Sequence, residues 1–270
     1  MAIMNPIFEK LFLRKRSHLF EFDDQPWLPK LLRRAYMEIL GNNIFRTSPF
    51  KDRLRKDLES QNVEVIHSLC SGDGQFIYFL YKLLEKDRKT KFVLSDLFPL
   101  PQDYLRLKTL THGDIDFIAT PIDATQIQPV CGDWFLMAGS LHHLQEEQVK
   151  AIFERITEND RTLIMMENHD RSYAQALKLL IILPVFSILA SIFGKPFRLE
   201  KLLFGALLPI VPLMILVDGL VSNFRSYRLV DLQQILDQLP NVHDYSIKAF
   251  PIRYAVILTG VYFVLSRQPL

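Results

Sequence analysis

The stretch VEVIHSLCSGDG, residues 63–74, decides the fold. It begins with a short apolar run, Val63 to Leu69, and stops at the glycine-bearing turn Cys70 to Gly74, after which the pattern predicts a helix over 76–84. Glycine permits positive φ and lets a ligand approach the backbone, and the first turn of a helix offers unpaired N–H groups. The turn is therefore either a ligand-binding loop or an ordinary strand-to-helix connection.

Four more short apolar runs follow, at 91–94, 117–120, 134–138 and 162–166, and they alternate with helical patterns. This alternation is typical of an α/β fold with a parallel sheet. Each run ends in a small or acidic residue, and ligands bind at the carboxyl ends of the strands in such sheets. Two later stretches, 245–250 and 255–265, are expected to close the sheet as an antiparallel pair.

Two acidic residues lie at predicted strand ends. Asp96 follows the second strand, where a carboxylate can accept hydrogen bonds from both hydroxyls of a ribose. Asp123 follows the third strand, where it can accept from the exocyclic amine of adenine. Either residue could instead cap a helix, which is a common role for Asp.

The string DWFLMAGSLHHL, residues 133–144, completes a recognisable order of motifs. With the turn at 70–74, Asp96 and Asp123, it resembles the class I S-adenosylmethionine-dependent methyltransferases of the small-molecule type. The resemblance covers residues 62–168 well and 218–267 loosely, where DGLVS and RSY resemble a string of uncharacterised bacterial members.

The resemblance implies a Rossmann-like seven-stranded sheet and S-adenosylmethionine as the cofactor. Gly72 and Gly74 would border its methionine and ribose, Asp96 would hold the ribose, and Asp123 would meet the adenine. Gly139 and Ser140 would line the methionine end. The full set of implied cofactor-binding residues is Ser68, Cys70, Gly72, Gly74, Asp96, Leu97, Asp123, Ala124, Gly139 and Ser140.

Candidate catalytic residues follow the fourth and fifth strands. A hydroxyl nucleophile needs a general base, and His142 or His143 could supply it; a histidine at such a turn can equally cap a backbone group. Glu167 is expected either to contact substrate or to be a solvated turn acid. Arg225 and Tyr227 could bind an anionic substrate group, or Arg225 could form a salt bridge.

Composition excludes several other classes. The chain has 270 residues, a net charge of +2, 49% hydrophobic residues and 23% charged residues. Disordered chains are poorer in apolar residues, and nucleic-acid binders usually carry a clear basic excess, so we expect no nucleic-acid partner. Cys70 and Cys131 are too few for a disulfide framework and indicate a cytosolic protein. No spacing of ligands predicts a metal site.

A helical insertion at about 172–218 separates the fifth and sixth strands. Residues 175–217 contain only five charged residues, and two uncharged runs, 179–194 and 202–217, are too short to span a membrane. Pro184, Pro209 and Pro212 are expected to kink or break their helices. Three interpretations remain open: a lid over a lipophilic substrate pocket, a monotopic hairpin in one leaflet, or a subunit interface or extra core.

These observations predict a helical cap over 1–60, with amphipathic helices near Ile7 to Phe12, and a methyltransferase domain over 61–270. We expect methyl transfer to a hydrophobic small molecule or lipid, on oxygen more than on carbon or nitrogen. The alternative is a catalytically inactive, membrane-associated adaptor, because Ser68 stands where the family usually carries an acid. The expected location is cytoplasmic, with contact to the inner face of the membrane through 175–217.

Overall fold

The protein contains a seven-stranded sheet flanked by helices. The structure is a computed structural model that describes residues 16, 19–41, 50–84, 90–127, 132–194, 197–240, 242–254 and 257–268. The strands are β1 Val65–Leu69, β2 Lys91–Leu94, β3 Ile115–Phe117, β4 Trp134–Ala138, β5 Thr162–Glu167, β6 Tyr245–Tyr254 and β7 Leu258–Arg267. Their order is β3-β2-β1-β4-β5-β7-β6.

Strands β1 to β5 pair in parallel, and β7 pairs antiparallel with β5. The predicted Rossmann-like seven-stranded sheet, with its antiparallel closure, is confirmed. The order of the strands reverses between β1 and β4, because the chain runs outward through β2 and β3 and then returns to the other side of β1. In open α/β sheets this switch point is where ligands bind.

Helices connect the strands, and the helix predicted over 76–84 is observed at Gln75–Leu84. They are α1 Lys30–Gly41, α2 Phe50–Glu59, α3 Gln75–Leu84, α4 Pro101–Leu110, α5 Glu146–Glu158, α6 Tyr173–Phe193, α7 Ile210–Arg225 and α8 Leu229–Leu236. A short helical segment, Leu199–Leu207, precedes α7. The amphipathic helix predicted near Ile7 to Phe12 and the thiol of Cys131 lie outside the described residues.

The third strand lies earlier in the chain than predicted. The apolar run at 117–120 marked it, but the observed strand is Ile115–Phe117. Ile115 is fully buried beside Phe92 of β2, and Asp116 points outward to the ammonium of Lys108 at 2.8 Å. A strand that alternates one buried and one charged residue therefore carries too weak an apolar signal to be recognised from the sequence.

The chain divides into two compact units. One comprises residues before 49, Asn168–Tyr227 and Arg253–Thr259; the other comprises Pro49–Glu167, Arg228–Ile252 and Gly260–Leu270. The second, called here the sheet unit, includes α2, because Phe50, Leu54 and Leu58 pack into the same buried cluster as the sheet residue Ile66. The structure thus divides the chain differently from the expected boundary at residue 60.

The first, called here the helical unit, has its own core. Leu179 and Leu183 of α6, Ile215 of α7 and Ile39 of α1 belong to one buried cluster. Helices α6 and α7 approach closely, since a Cβ added at Gly219 would lie 2.3 Å from a methyl group of Leu183. The insertion expected at about 172–218 therefore joins the N-terminal residues in one body.

Candidate functional site

The glycine-bearing turn lies at the carboxyl end of β1, next to the switch point of the sheet. Three of its residues have positive φ: Cys70 at 51°, Gly72 at 56° and Gly74 at 74°. A Cβ added at Gly72 would meet nothing within 4 Å, whereas one at Gly74 would lie 2.8 Å from methyl groups of Leu94 and Leu107. Gly72 therefore borders open space, and Gly74 permits close packing of the turn on the core.

Asp96 at the end of β2 is hydrogen-bonded directly to this turn. Its Oδ2 accepts a hydrogen bond from the Gly72 N–H at 2.9 Å, and its Oδ1 accepts from the Phe98 N–H at 2.8 Å. The hydroxyl of Tyr104 donates to the Gly72 carbonyl at 2.8 Å from the other side. Each oxygen of a carboxylate can accept two hydrogen bonds, so Asp96 keeps acceptor capacity for a ligand.

Asp123 has the capping role that the sequence left open. Its Oδ1 accepts from both the N–H and the hydroxyl of Thr125 at 2.8 Å, at the start of the short helix Ala124–Gln126. Ala124 is buried within that helix. The loop carrying Asp123 is joined to the end of β2, because the Ile122 N–H donates to the Asp96 carbonyl at 2.8 Å.

The thiol of Cys70 shows that these groups converge. Burial, followed by the negative charge of Asp96, raises the pKa of Cys70 to about 12, and the charge of Asp123 adds to this while the nearby Ser140 hydroxyl opposes it. Ser140 follows β4, and Gly139 beside it has a φ of 62°. The ends of β1, β2 and β4 and the loop after β3 therefore meet around Cys70.

Ser68, in β1 just before the turn, stabilises the turn through hydrogen bonds. Its carbonyl accepts from the Ser95 N–H at 3.0 Å, and its hydroxyl accepts from Ser71 Oγ at 2.9 Å. His67 extends this network through Nε2, which lies 2.8 Å from Ser95 Oγ. Sequence reasoning missed His67, Ser71, Ser95 and Tyr104 as positioning residues. A histidine inside a buried strand was the one signal that could have indicated the network.

His142 and Glu167 form a buried pair beside the turn after β4. Nδ1 of His142 lies 2.6 Å from Oε2 of Glu167, and Oε1 of the same carboxylate accepts from the Leu141 N–H at 2.9 Å. Glu167 is fully buried, so the expectation of a solvated turn acid is wrong. His143 is less buried, and its ring lies 4.2 Å from that of His142 between centroids.

Leu97 is exposed at the end of β2, as is the neighbouring Phe98. Sequence reasoning named Leu97 but not Phe98, whose side chain is 79% exposed. Two adjacent exposed apolar side chains beside the Asp96 carboxylate provide a surface on which a planar ring could stack.

Arg225 and Tyr227 belong to the helical unit, and both are buried. The guanidinium of Arg225 lies 2.7 Å from carboxylate oxygens of Glu21 and Asp24. The salt-bridge alternative therefore describes Arg225, whose charge is already balanced by two acids. The ring of Tyr227 lies under the guanidinium of Arg16, 4.0 Å from the ring centroid. A substrate contact for Arg225 or Tyr227 stays a prediction.

Comparison with known proteins supports the fold. No family model and no curated protein matches the sequence. Among solved structures, a protein of Nostoc punctiforme assigned as an O-methyltransferase is similar with a TM-score of 0.52 and 10% identity, over 91% of this chain and 62% of that one. The methyltransferase domain of bacterial CtHen1 is similar with a TM-score of 0.51 and 13% identity, over 84% of this chain and 100% of that one.

The chain thus spans less than two thirds of the Nostoc protein. At these identities the similarity concerns the fold alone. The class I methyltransferase fold implied by the sequence motifs is confirmed.

Proposed function

We propose that this chain is an S-adenosylmethionine-dependent methyltransferase that acts on a hydrophobic small molecule or lipid, by O-methylation. The observation that carries the proposal is the contact between Asp96 and the Gly72 N–H at the switch point of a sheet with this strand order. It brings an acceptor for ribose hydroxyls against a turn that a ligand can approach closely.

The residues present fit such a cofactor. A Cβ at Gly72 would project into open space, which leaves room for a ligand beside the backbone. Asp96 would accept from the ribose hydroxyls, Leu97 and Phe98 would cover the adenine, and Gly139 and Ser140 would border the methionine end. When bound, S-adenosylmethionine supplies an electrophilic methyl group on a positively charged sulfur.

The chain's own residues would prepare the nucleophile. The Glu167 carboxylate would accept a hydrogen bond from the Nδ1–H of His142 and so orient the imidazole ring. Nε2 is then the atom that would take the proton from a substrate hydroxyl. Glu167 is itself held by the Leu141 N–H, so the base would be positioned before substrate arrives.

Calorimetric titration of the full chain with S-adenosylmethionine, in a mild detergent, tests the proposal. We expect saturable binding, and we expect Asp96→Asn to weaken it at least about tenfold because one ribose acceptor and the Gly72 contact are lost. Asp237→Asn is the matched control, since Asp237 is an exposed acid at the end of α8.

If S-adenosylmethionine does not bind at high micromolar concentration, the enzyme proposal is wrong and the inactive adaptor is favoured. Ser68 favours the inactive adaptor, because it stands where the family usually has an acid. Its hydroxyl is hydrogen-bonded to Ser71 within the turn. Binding of NAD in place of S-adenosylmethionine would also contradict the proposal.

A further inference from the structure

Helix α6 exposes a continuous apolar strip. Leu177, Ile181, Val185, Leu189 and Phe193 follow one another at intervals of four residues, and each is about half exposed or more. Residues four apart are neighbours on a helix surface, so these side chains form one continuous strip that winds around α6 along most of its length. Isolated exposed apolar residues are ordinary, but a contiguous strip marks an interaction surface.

The opposite face of α6 is also apolar. Leu179, Leu183 and Ala190 are buried in the core of the helical unit. The buried Ser187 and Ser191 on this face donate their hydroxyls to helix carbonyls, so the surface of α6 is apolar almost all round. An 18-residue window of α6 has a mean hydropathy of 2.4, yet only 33% of that window is buried. A helix that is apolar on every face belongs in an apolar environment, and the protein supplies that environment on one side only.

Three cationic side chains on or next to α6 have partners within the protein. The ammonium of Lys201 donates to the Gly194 carbonyl at 3.0 Å, and the guanidinium of Arg198 lies 2.8 Å from the carboxylate of Glu38. Lys178, the one charged residue of α6, donates to the Ile257 carbonyl at 2.9 Å. These contacts lower the cost of bringing the surrounding surface into a medium of low dielectric constant.

The course of the chain limits how this surface can meet a membrane. Glu167 before the insertion and Arg228 after it both belong to the sheet unit, so the insertion leaves and returns to one body. By length and composition α6 could cross a membrane, as could the pair Leu199–Leu207 and Ile210–Arg225, which is bent by 70°. The buried Arg225, Glu21 and Asp24 cluster at the end of α7 argues against passing that end through lipid.

We propose that the α6 strip rests in one leaflet of a lipid bilayer and anchors the protein there without crossing it. The helix lies along the interface with its strip toward the hydrocarbon and its opposite face on the protein core. A second copy of the chain is the competing occupant, and the lipid is favoured because the strip has no exposed charge or hydrogen-bonding side chain that would define a register. This inference does not depend on the proposed methyltransferase activity.

Flotation of the full chain with phosphatidylcholine vesicles provides the test. We expect binding that persists at about 0.5 M NaCl, because apolar insertion is not screened by salt. Ile181→Glu should reduce the bound fraction at least about tenfold, since a carboxylate is placed against hydrocarbon. Leu105→Glu, at an equally apolar and exposed position on α4 of the sheet unit, is the matched control and should bind as the parent does.

A second measurement uses tryptophan substitutions, which add no charge to the strip. Leu177→Trp and Phe193→Trp should each gain fluorescence that vesicles brominated on the acyl chains quench, whereas Leu105→Trp should not be quenched. Absence of flotation, or flotation unaffected by Ile181→Glu, would overturn the proposal. A dimer interface would also overturn it. In that case the parent protein sediments as a dimer, Ile181→Glu sediments as a monomer, and neither protein binds vesicles. Calorimetry with S-adenosylmethionine reports on the methyltransferase proposal separately.

Discussion

At the scale of single residues, the two glycines of the turn at 70–74 have different tasks. Both have positive φ, so a side chain at either costs about 1 kcal/mol of folding free energy from backbone strain. Only Gly74 would also place its Cβ within 2.8 Å of core methyl groups. Gly72 borders open space beside the turn, whereas Gly74 permits the turn to pack closely on the core.

We therefore predict different outcomes for the two alanine variants. Gly72→Ala should lose about 1 kcal/mol of stability and most of its affinity for S-adenosylmethionine, because the methyl group enters the ligand space. Gly74→Ala should lose about 2–4 kcal/mol through added overpacking. Urea denaturation and calorimetry measure both quantities. Gly113→Ala, with positive φ and open space around it, controls for backbone strain alone. Equal stability losses for Gly72 and Gly74 would contradict this assignment.

His142 offers a second prediction at the same scale. Because a carboxylate accepts from Nδ1, that nitrogen carries a proton in the native protein. Glu167→Gln should turn an amide N–H toward Nδ1 while its oxygen retains the Leu141 N–H, and the proton of the neutral ring should move to Nε2. Two-dimensional ¹⁵N spectra of the imidazole ring distinguish the two tautomers.

Methyl transfer should fall with this change of tautomer by about 10²- to 10⁴-fold, because Nε2 can no longer accept a proton. His143→Gln is the control, and it should leave the tautomer of His142 unchanged. A His142 ring that keeps its Nδ1 proton in Glu167→Gln would show that the carboxylate does not orient it.

At the scale of elements, β1 carries a buried titratable group beneath the turn. Burial lowers the pKa of His67 to about 4. The folded state therefore holds His67 neutral, while the unfolded chain protonates it near pH 6.5. Its contribution to stability is complete above pH 6.5 and is lost as the pH falls toward 4.

We predict that the free energy of unfolding drops by about 2 kcal/mol between pH 7 and pH 5 from this residue. His67→Gln should remove that part of the slope while an amide still reaches Ser95. Exposed His243→Gln is the control. Urea denaturation across the pH range provides the measurement, and an unchanged slope in His67→Gln would refute the assignment.

The prolines of the insertion show how local signals combine with packing. Pro184 does not break its helix, since α6 continues through it from Tyr173 to Phe193 and Leu183 packs against Gly219. Pro209 does separate two helical segments at a 70° bend. Pro212 lies in the first turn of α7, where backbone N–H groups have no partner inside the helix. A proline there removes an N–H group that would make no helical hydrogen bond.

At the scale of the whole molecule, each compact unit has its own core and one tryptophan. Trp27 belongs to the helical unit and stacks near Phe20, whereas Trp134 lies in β4 of the sheet unit. Chains with separate cores often unfold in more than one step. The two tryptophans therefore report on the units individually.

We predict that urea midpoints differ between Trp27→Phe, which leaves Trp134 as reporter, and Trp134→Phe, which leaves Trp27. Phosphatidylcholine vesicles should raise the midpoint that Trp27 reports and leave that of Trp134 unchanged, because a ligand stabilises the state that binds it. Far-ultraviolet circular dichroism of both variants checks that the substitutions themselves are silent. Coincident midpoints with and without vesicles would contradict the prediction.

The sequence by itself determined the alternation of strands and helices, the edge of the sheet at which the motifs collect and the positions of Gly72, Asp96 and Asp123, because apolar runs and turn residues are local signals. Only the tertiary structure decided that Asp123 caps a helix, that Glu167 is buried against His142, and that Glu21 and Asp24 neutralise Arg225 across some 200 residues. It also decided which face of α6 is left exposed. Contacts between residues that are distant in the chain produce no periodic pattern in the sequence, since burial and charge balance arise only when separate elements pack.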